Sequence, residues 1–392
     1  MNRLLLTLLL SAPLNTLLSA PLSAAPYTPQ SNDELIAQWA APSNAAMQSL
    51  KTASRLQPND TATILALVNS YLAQAAQPGQ SRFYGLAQAA LKPLIEKNPS
   101  DKTVSDTNSA DSQLWLAWAQ VQQHQHNFFV AQTALEKVFA TDPSNETANL
   151  LAARIYIIQE QPLAARNACL KLLGSADLLT ITACSLEANS YLHPNDLTNS
   201  YQQLAELVQR QGLPDDERAS WLIQLLADFA MRNNEPATAA TWLQQRLPNA
   251  SVNYLAQWAD VHLALNNSQA VLTQLAPIVT AAPEMDDALL VKLALAEKNI
   301  GKDNIEKDKE GEKDKEDEKG KHWQTQLAER VALREQRQDS LHASELAIYY
   351  LDIAPNAQKA LHWAEINFSN TREYSDKKLL TRAQQLNQVK GI

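Results

Sequence analysis

The residue types in this chain that could bind a metal, form a redox pair or stack on a ligand are few. They are His124 and His126 in the run Gln122-Gln123-His124-Gln125-His126, two cysteines at 169 and 184, and eight tryptophans. Histidines two apart on a helix point to different sides, so a metal site there would need an irregular backbone and ligands from elsewhere. No metal is expected. The sequence holds no phosphate-cradling G-x-x-x-x-G-K-[ST] loop, dinucleotide fingerprint, H-E-x-x-H pair, G-x-S-x-G elbow or C-x-x-C pair. Four of the eight glycines, Gly301, Gly311, Gly320 and Gly391, fall in a charged tract or at the last turn, leaving few for a phosphate loop. These residues point to binding rather than catalysis, so no enzyme activity and no cofactor are expected.

The elements that must position these residues are helices. The 392 residues are 45% hydrophobic but only 6% aromatic, rich in Ala, Leu and Gln and poor in glycine, which disfavours a sheet with many tight turns. Between Ser112 and Asn145 a unit of about 34 residues carries Trp115, Trp118, Ala119, Ala131, Leu135, Val138 and Pro143 at positions 4, 7, 8, 20, 24, 27 and 32. Small residues late in a first helix and early in a second let two antiparallel helices approach closely. Large residues fill the gap to the next pair, and the proline ends the second helix.

The next unit, 146–179, keeps Ala153, Tyr156, Ala165, Cys169 and Leu172 in register, with Asp177 in place of the proline. A third, 252–285, has Leu255, Trp258, Ala259, His262, Leu275, Ile278 and Pro283, with Val271 at the small position of the second helix. Weaker units carry Ala188, Tyr191, Ser200, Leu204 and Leu207, then Ala227, Ala230, Ala239 and Leu243. Near the start, Ala46 to Pro58 and Ala87 to Pro99 read as second helices of pairs.

This pattern resembles the tetratricopeptide repeat (TPR) family over most of residues 31–297, and the tail His342 to Leu386 resembles the C-terminal part of exported bacterial TPR proteins. The resemblance implies an all-α fold, a right-handed α-solenoid of stacked antiparallel helix pairs. It also implies a concave groove lined by first-helix positions 2, 5, 9, 12 and 13 that receives an extended peptide or a helix. Carried onto this chain, those positions nominate Gln113, Gln120, Gln123, His124, Arg154, Asn189, Asp228 and Asp260 as a partner-binding groove. Amides and both signs of charge suit a peptide backbone, whereas a clamp for acidic C-termini would want more bases than Arg154 and Arg232. Trp115, Trp118 and Trp258 occupy packing positions and are read as core.

Cys169 lies in the second helix of one unit and Cys184 in the first helix of the next, and such helices pack side by side. The pair forms a disulfide if the Cα atoms come within about 7 Å in an oxidising compartment, or else two buried thiols.

The N-terminus, Arg3 followed by the apolar run Leu4–Leu10 and by Leu22-Ser23-Ala24-Ala25, reads as a signal peptide, residues 1–24, cut after Ala24. Pro13, Asn15 and Pro21 interrupt it, so it falls short of the roughly 20 apolar residues of a membrane span. No lipobox cysteine follows. The expected mature chain is periplasmic, with no stable membrane insertion. Loss of Arg3 with the signal takes the net charge from −9 to −10, which disfavours nucleic acid as a partner.

Residues 25–297 are then the repeats. Residues 298–321, almost all Lys, Asp, Glu and Gly, form a charged flexible insertion too polar to offset the entropy of ordering. Residues 322–392 supply helices that complete and cap the solenoid. The expected function is that of an adaptor or assembly factor holding another protein or peptide. Self-association as a structural scaffold is the alternative.

Overall fold

The computed structural model describes residues 31, 45–97, 109–307 and 321–390; the expected signal segment and the middle of the charged tract lie outside the described residues. Residues 42–392 form one compact unit. Among the described residues every regular element is helical, with eighteen α-helices. The first are α1 (Ala45–Leu56), α2 (Thr61–Ala75), α3 (Arg82–Lys97), α4 (Ser109–His124), α5 (Phe128–Thr141), α6 (Glu146–Ile158) and α7 (Pro162–Leu170). The middle of the array is α8 (Leu178–Leu192), α9 (Leu197–Gln211), α10 (Arg218–Arg232), α11 (Pro236–Leu243), α12 (Val252–Ala264) and α13 (Ser268–Ala281). The chain ends with α14 (Asp287–Lys307), α15 (His322–Arg337), α16 (Ala343–Ile348, extended by a π turn to Ile353), α17 (Ala357–Asn370) and α18 (Tyr374–Lys390).

The helices pair as α2/α3, α4/α5, α6/α7, α8/α9, α10/α11 and α12/α13, each pair stacking on the next. The chain is therefore a TPR-like α-solenoid, and both weaker units form regular pairs. The cause is visible at the small positions: Ala119, Ala131, Ala165, Ala227, Ala239 and Ala259 are all 0% exposed, so a larger side chain there would push two backbones apart. Trp115 and Trp258 are buried, and Trp118 packs half-buried against the same core, as their spacing predicts.

Helix starts are set locally. The side chains of Asp60, Asn145, Asp177 and Ser251 accept from the backbone N–H three residues on, satisfying otherwise orphaned donors. Asp177 replaces the expected proline because it caps the next helix instead. Pro162 and Pro236 open α7 and α11, where a missing N–H costs nothing. The turns inside the pairs place His126, Glu160, Asn234 and Asn266 in the left-handed region, with φ of 57°, 59°, 65° and 56°. Cys169 and Cys184 are joined by a disulfide, with Cα atoms 5.6 Å apart, that ties α7 to α8.

Two features lie beyond the repeat pattern. First, α14 runs ten residues past the boundary expected at 297, to Lys307, and the first of them, Lys298, is anchored: its ammonium donates to the carbonyls of Asp352 and Ile353 at the end of the π turn. Second, the winding returns on itself. The α2–α3 turn meets the α11–α12 and α13–α14 connections: Val252 N–H donates to the Ala76 carbonyl (3.1 Å), Gly79 N–H to the Asp286 carboxylate (2.6 Å), and Arg82 pairs with Glu284 (3.4 Å). Gly79 has φ +70°, and a Cβ there would lie 2.7 Å from both Ala282 Cβ and the Glu284 carbonyl oxygen, so only glycine permits the approach.

Candidate partner-binding face

Position 9 of successive first helices brings Arg154 on α6, Asn189 on α8, Asp228 on α10 and Asp260 on α12 onto one layer. There the side chains form ion pairs along and between the helices. Arg154 reaches Glu187 of α8 at 3.6 Å. Arg232 of α10 pairs with Asp228 at 3.2 Å, donates to the Ser190 hydroxyl and carbonyl, both at 2.9 Å, and lies 4.2 Å from the centroid of the Tyr191 ring. Asp260 pairs with Lys292 of α14 at 2.6 Å.

The nominated residues do not form one site. Arg154 and Asp228 belong to a central cluster with Glu187, Ser190, Tyr191 and Arg232, while Asp260 is engaged separately with Lys292. His124 lies at the end of α4, its ring 4.1 Å from that of Tyr84, and His126 stacks on Phe128 at 5.6 Å. Gln113 is exposed, and Gln120, Gln123 and Asn189 are half-buried. Among the described residues no three His, Cys, Asp or Glu side chains converge as metal donors.

An element that the repeat pattern does not nominate also meets this layer. The turn between α17 and α18, residues 371–373, carries Glu373, whose carboxylate sits 2.8 Å from Arg154. The Arg372 N–H donates to the Ile158 carbonyl at the end of α6 (2.7 Å), and the Tyr374 ring centroid lies 5.8 Å from the Arg232 guanidinium. No local signal in the sequence announces this contact, since it depends on how tightly the helix pairs wind. Glu187 and Tyr191 sit at first-helix positions 7 and 11, outside the groove positions that the family resemblance supplies.

The cluster holds three carboxylates, Glu187, Asp228 and Glu373, against two guanidiniums. Arg154 keeps 45% of its side-chain surface accessible, and Glu187 keeps 16%. Glu187 is the least solvated of the three carboxylates. Burial pushes Glu187 up to about 7, against the pull of Arg154, and raises Asp228 against the pull of Arg232. Burial also drives Tyr191 well above its ordinary range. Arg154 stays charged because Glu373 and Glu187 outweigh the cost of its own burial. This arrangement orients carboxylates, amide N–H groups and aromatic rings, and it offers no activated nucleophile.

No protein-family model and no curated protein matches the sequence. Solved structures similar to the chain include a tetratricopeptide repeat protein from Parabacteroides merdae, at 13% identity, TM-score 0.45, covering 64% of this chain and 91% of that one. A monomeric mutant of IFIT1 with Gppp-AAAA aligns at 12% identity and TM-score 0.38, over 87% of this chain and 72% of that one. The Chs5-Bch1 exomer cargo adaptor complex aligns at 12% identity and TM-score 0.26, over 86% and 60% respectively.

Proposed function

We propose that this chain is a non-enzymatic adaptor or assembly factor, exported to the periplasm, that holds a partner protein on the first-helix layer of its solenoid. The observation that carries the reading is the charged cluster of Arg154, Glu187, Asp228 and Arg232, with the separate Asp260–Lys292 pair further along the same helices. It sits on successive first helices, and its Arg154 and Arg232 already hold a turn of the same chain through Glu373 and Tyr374. Charged groups so arranged specify register and partner more than they add raw affinity. Among the described residues no helix is long and apolar enough to cross a membrane, which fits a protein that works outside the bilayer.

The test is crosslinking capture of the tagged mature protein in its native host, alongside an Arg154→Gln, Arg232→Gln variant whose helicity and melting temperature match the parent. One exported or membrane protein recovered with the parent and lost with the variant is the expected result. Equal recovery with both would remove the layer from the account.

One observation favours the self-associating scaffold as a second reading. Phe129 and Leu163, 79% and 52% exposed, stand 34 residues apart at the same place on consecutive second helices, with Val130 beside them. A homo-oligomer that dissociates on Phe129→Ser, Leu163→Ser substitution would establish that reading.

A further inference from the structure

The contact between the α17–α18 turn and the first-helix layer has the composition of a short recognition motif. Three consecutive residues each present a different group. Arg372 contributes its backbone N–H, which meets the Ile158 carbonyl at 2.7 Å; this carbonyl lies in the last turn of α6, where helix carbonyls lack an intrahelical donor. Glu373 contributes a carboxylate, 2.8 Å from Arg154, and Tyr374 an aromatic ring, 5.8 Å from the Arg232 guanidinium, which itself stands over Tyr191 at 4.2 Å. An extended segment of another protein could supply the same three groups in the same order.

The turn is held from its own side as well. Asp376 accepts from the Glu373 N–H (3.0 Å) and from the Asn367 amide (2.8 Å), so the motif is presented in a fixed shape. Its seat is incomplete, however. Tyr374 remains 49% exposed, and the flanking Lys377–Glu160 pair spans 3.9 Å between exposed side chains. Ion pairs with this much access to water are weak, and a competitor that buried its ring would exceed them. The apolar packing that anchors α18 runs through Leu379 and Ala383 into the core of α14–α17, so the turn can be displaced without loss of that core.

We propose that residues 372–374 act as an internal pseudo-ligand, and that the partner segment taken by this face carries an acidic residue followed directly by an aromatic one, displacing Glu373 and Tyr374. The inference rests on the adaptor reading above and specifies its partner.

A fluorescein-labelled peptide of residues 368–378 tests it by anisotropy at low salt, titrated into the full mature chain and into a Glu373→Gln, Tyr374→Ala variant. Vacating the seat is expected to tighten peptide binding at least tenfold. Arg154→Gln added to that variant should abolish the gain, and a peptide carrying Gln and Ala at the two positions should bind neither protein. A variant that melts at a lower temperature with no gain in peptide affinity would show the turn to be a structural brace and overturn the proposal. Glu373→Gln alone, which keeps size and shape, guards against misfolding and should give part of the gain; no gain from a folded Glu373→Gln chain equally overturns the proposal. Capture that depends on the first-helix arginines but is unchanged by vacating the seat leaves the adaptor standing and sinks the pseudo-ligand. Tight, motif-dependent peptide binding with no second protein captured does the reverse.

Discussion

At the scale of single residues, two positions are held against their own preference. Glu160 occupies the left-handed region that asparagine fills in the equivalent turns at Asn234 and Asn266, and for a residue with a long side chain that conformation costs about 1 kcal/mol or more. Its ion pair with Lys377 is exposed and contributes little. Glu160→Gly should therefore raise unfolding free energy by roughly 0.5–1 kcal/mol, read as a higher urea midpoint at unchanged slope.

Glu187 is the other. Its carboxyl is raised from the ordinary range to about 7, so the folded chain keeps a proton that the unfolded chain has released. Its favourable contribution is present at low pH and is lost as pH rises from 4.5 through about 7, on the order of 3 kcal/mol in all. Glu187→Gln should flatten that decline, leaving the variant more stable than the parent at pH 8 but not at pH 4. Identical pH profiles for the two would remove Glu187 from the account.

At the scale of elements, the repeat spacing made nearly every helix legible. The alternation of small and large residues between 112 and 285 depends on contacts between neighbouring helices, and such contacts leave a period in the sequence. The nominated position-9 side chains share a layer for the same reason. The end of α14 was not legible, because Lys298 reads as part of a charged tract until its partners, 54 and 55 residues away, are known. Nor was the role of Glu373, which lies far outside the repeats that carry its partner Arg154.

The α7–α8 link belongs to this scale as well. Helix α7 has only nine residues, and the disulfide restrains the connection that follows it. Cys169→Ala, Cys184→Ala should cost about 3 kcal/mol for a loop of this length. The melting temperature of the parent should fall toward that of the variant on adding reductant. A parent indifferent to reductant would mean that the bond does not form.

At the scale of the whole helical unit, Gly79 governs how the winding closes. Any side chain there meets Ala282 and the Glu284 backbone, so Gly79→Val should part the α2–α3 turn from the α13–α14 connection. Each helix pair keeps its own core and should remain folded. The expected signature is unchanged helicity by circular dichroism with a larger radius of gyration by small-angle scattering. An unchanged radius would show that the closure tolerates a side chain.

That closure has a consequence for how the array comes apart. In an open stack of repeats each unit is stabilised only by its neighbours, so the terminal units have one interface fewer and fray first. Here the α2–α3 turn borrows a second interface from residues some 200 positions away, through Gly79–Asp286 and Arg82–Glu284. A linear chain of coupled units becomes a loop of them. Unfolding should then approach a single cooperative event, and backbone amides of α2 and α3 should exchange with deuterium as slowly as those of α8 and α10. Rupture of the one seam would restore a free end and, with it, unravelling from that end.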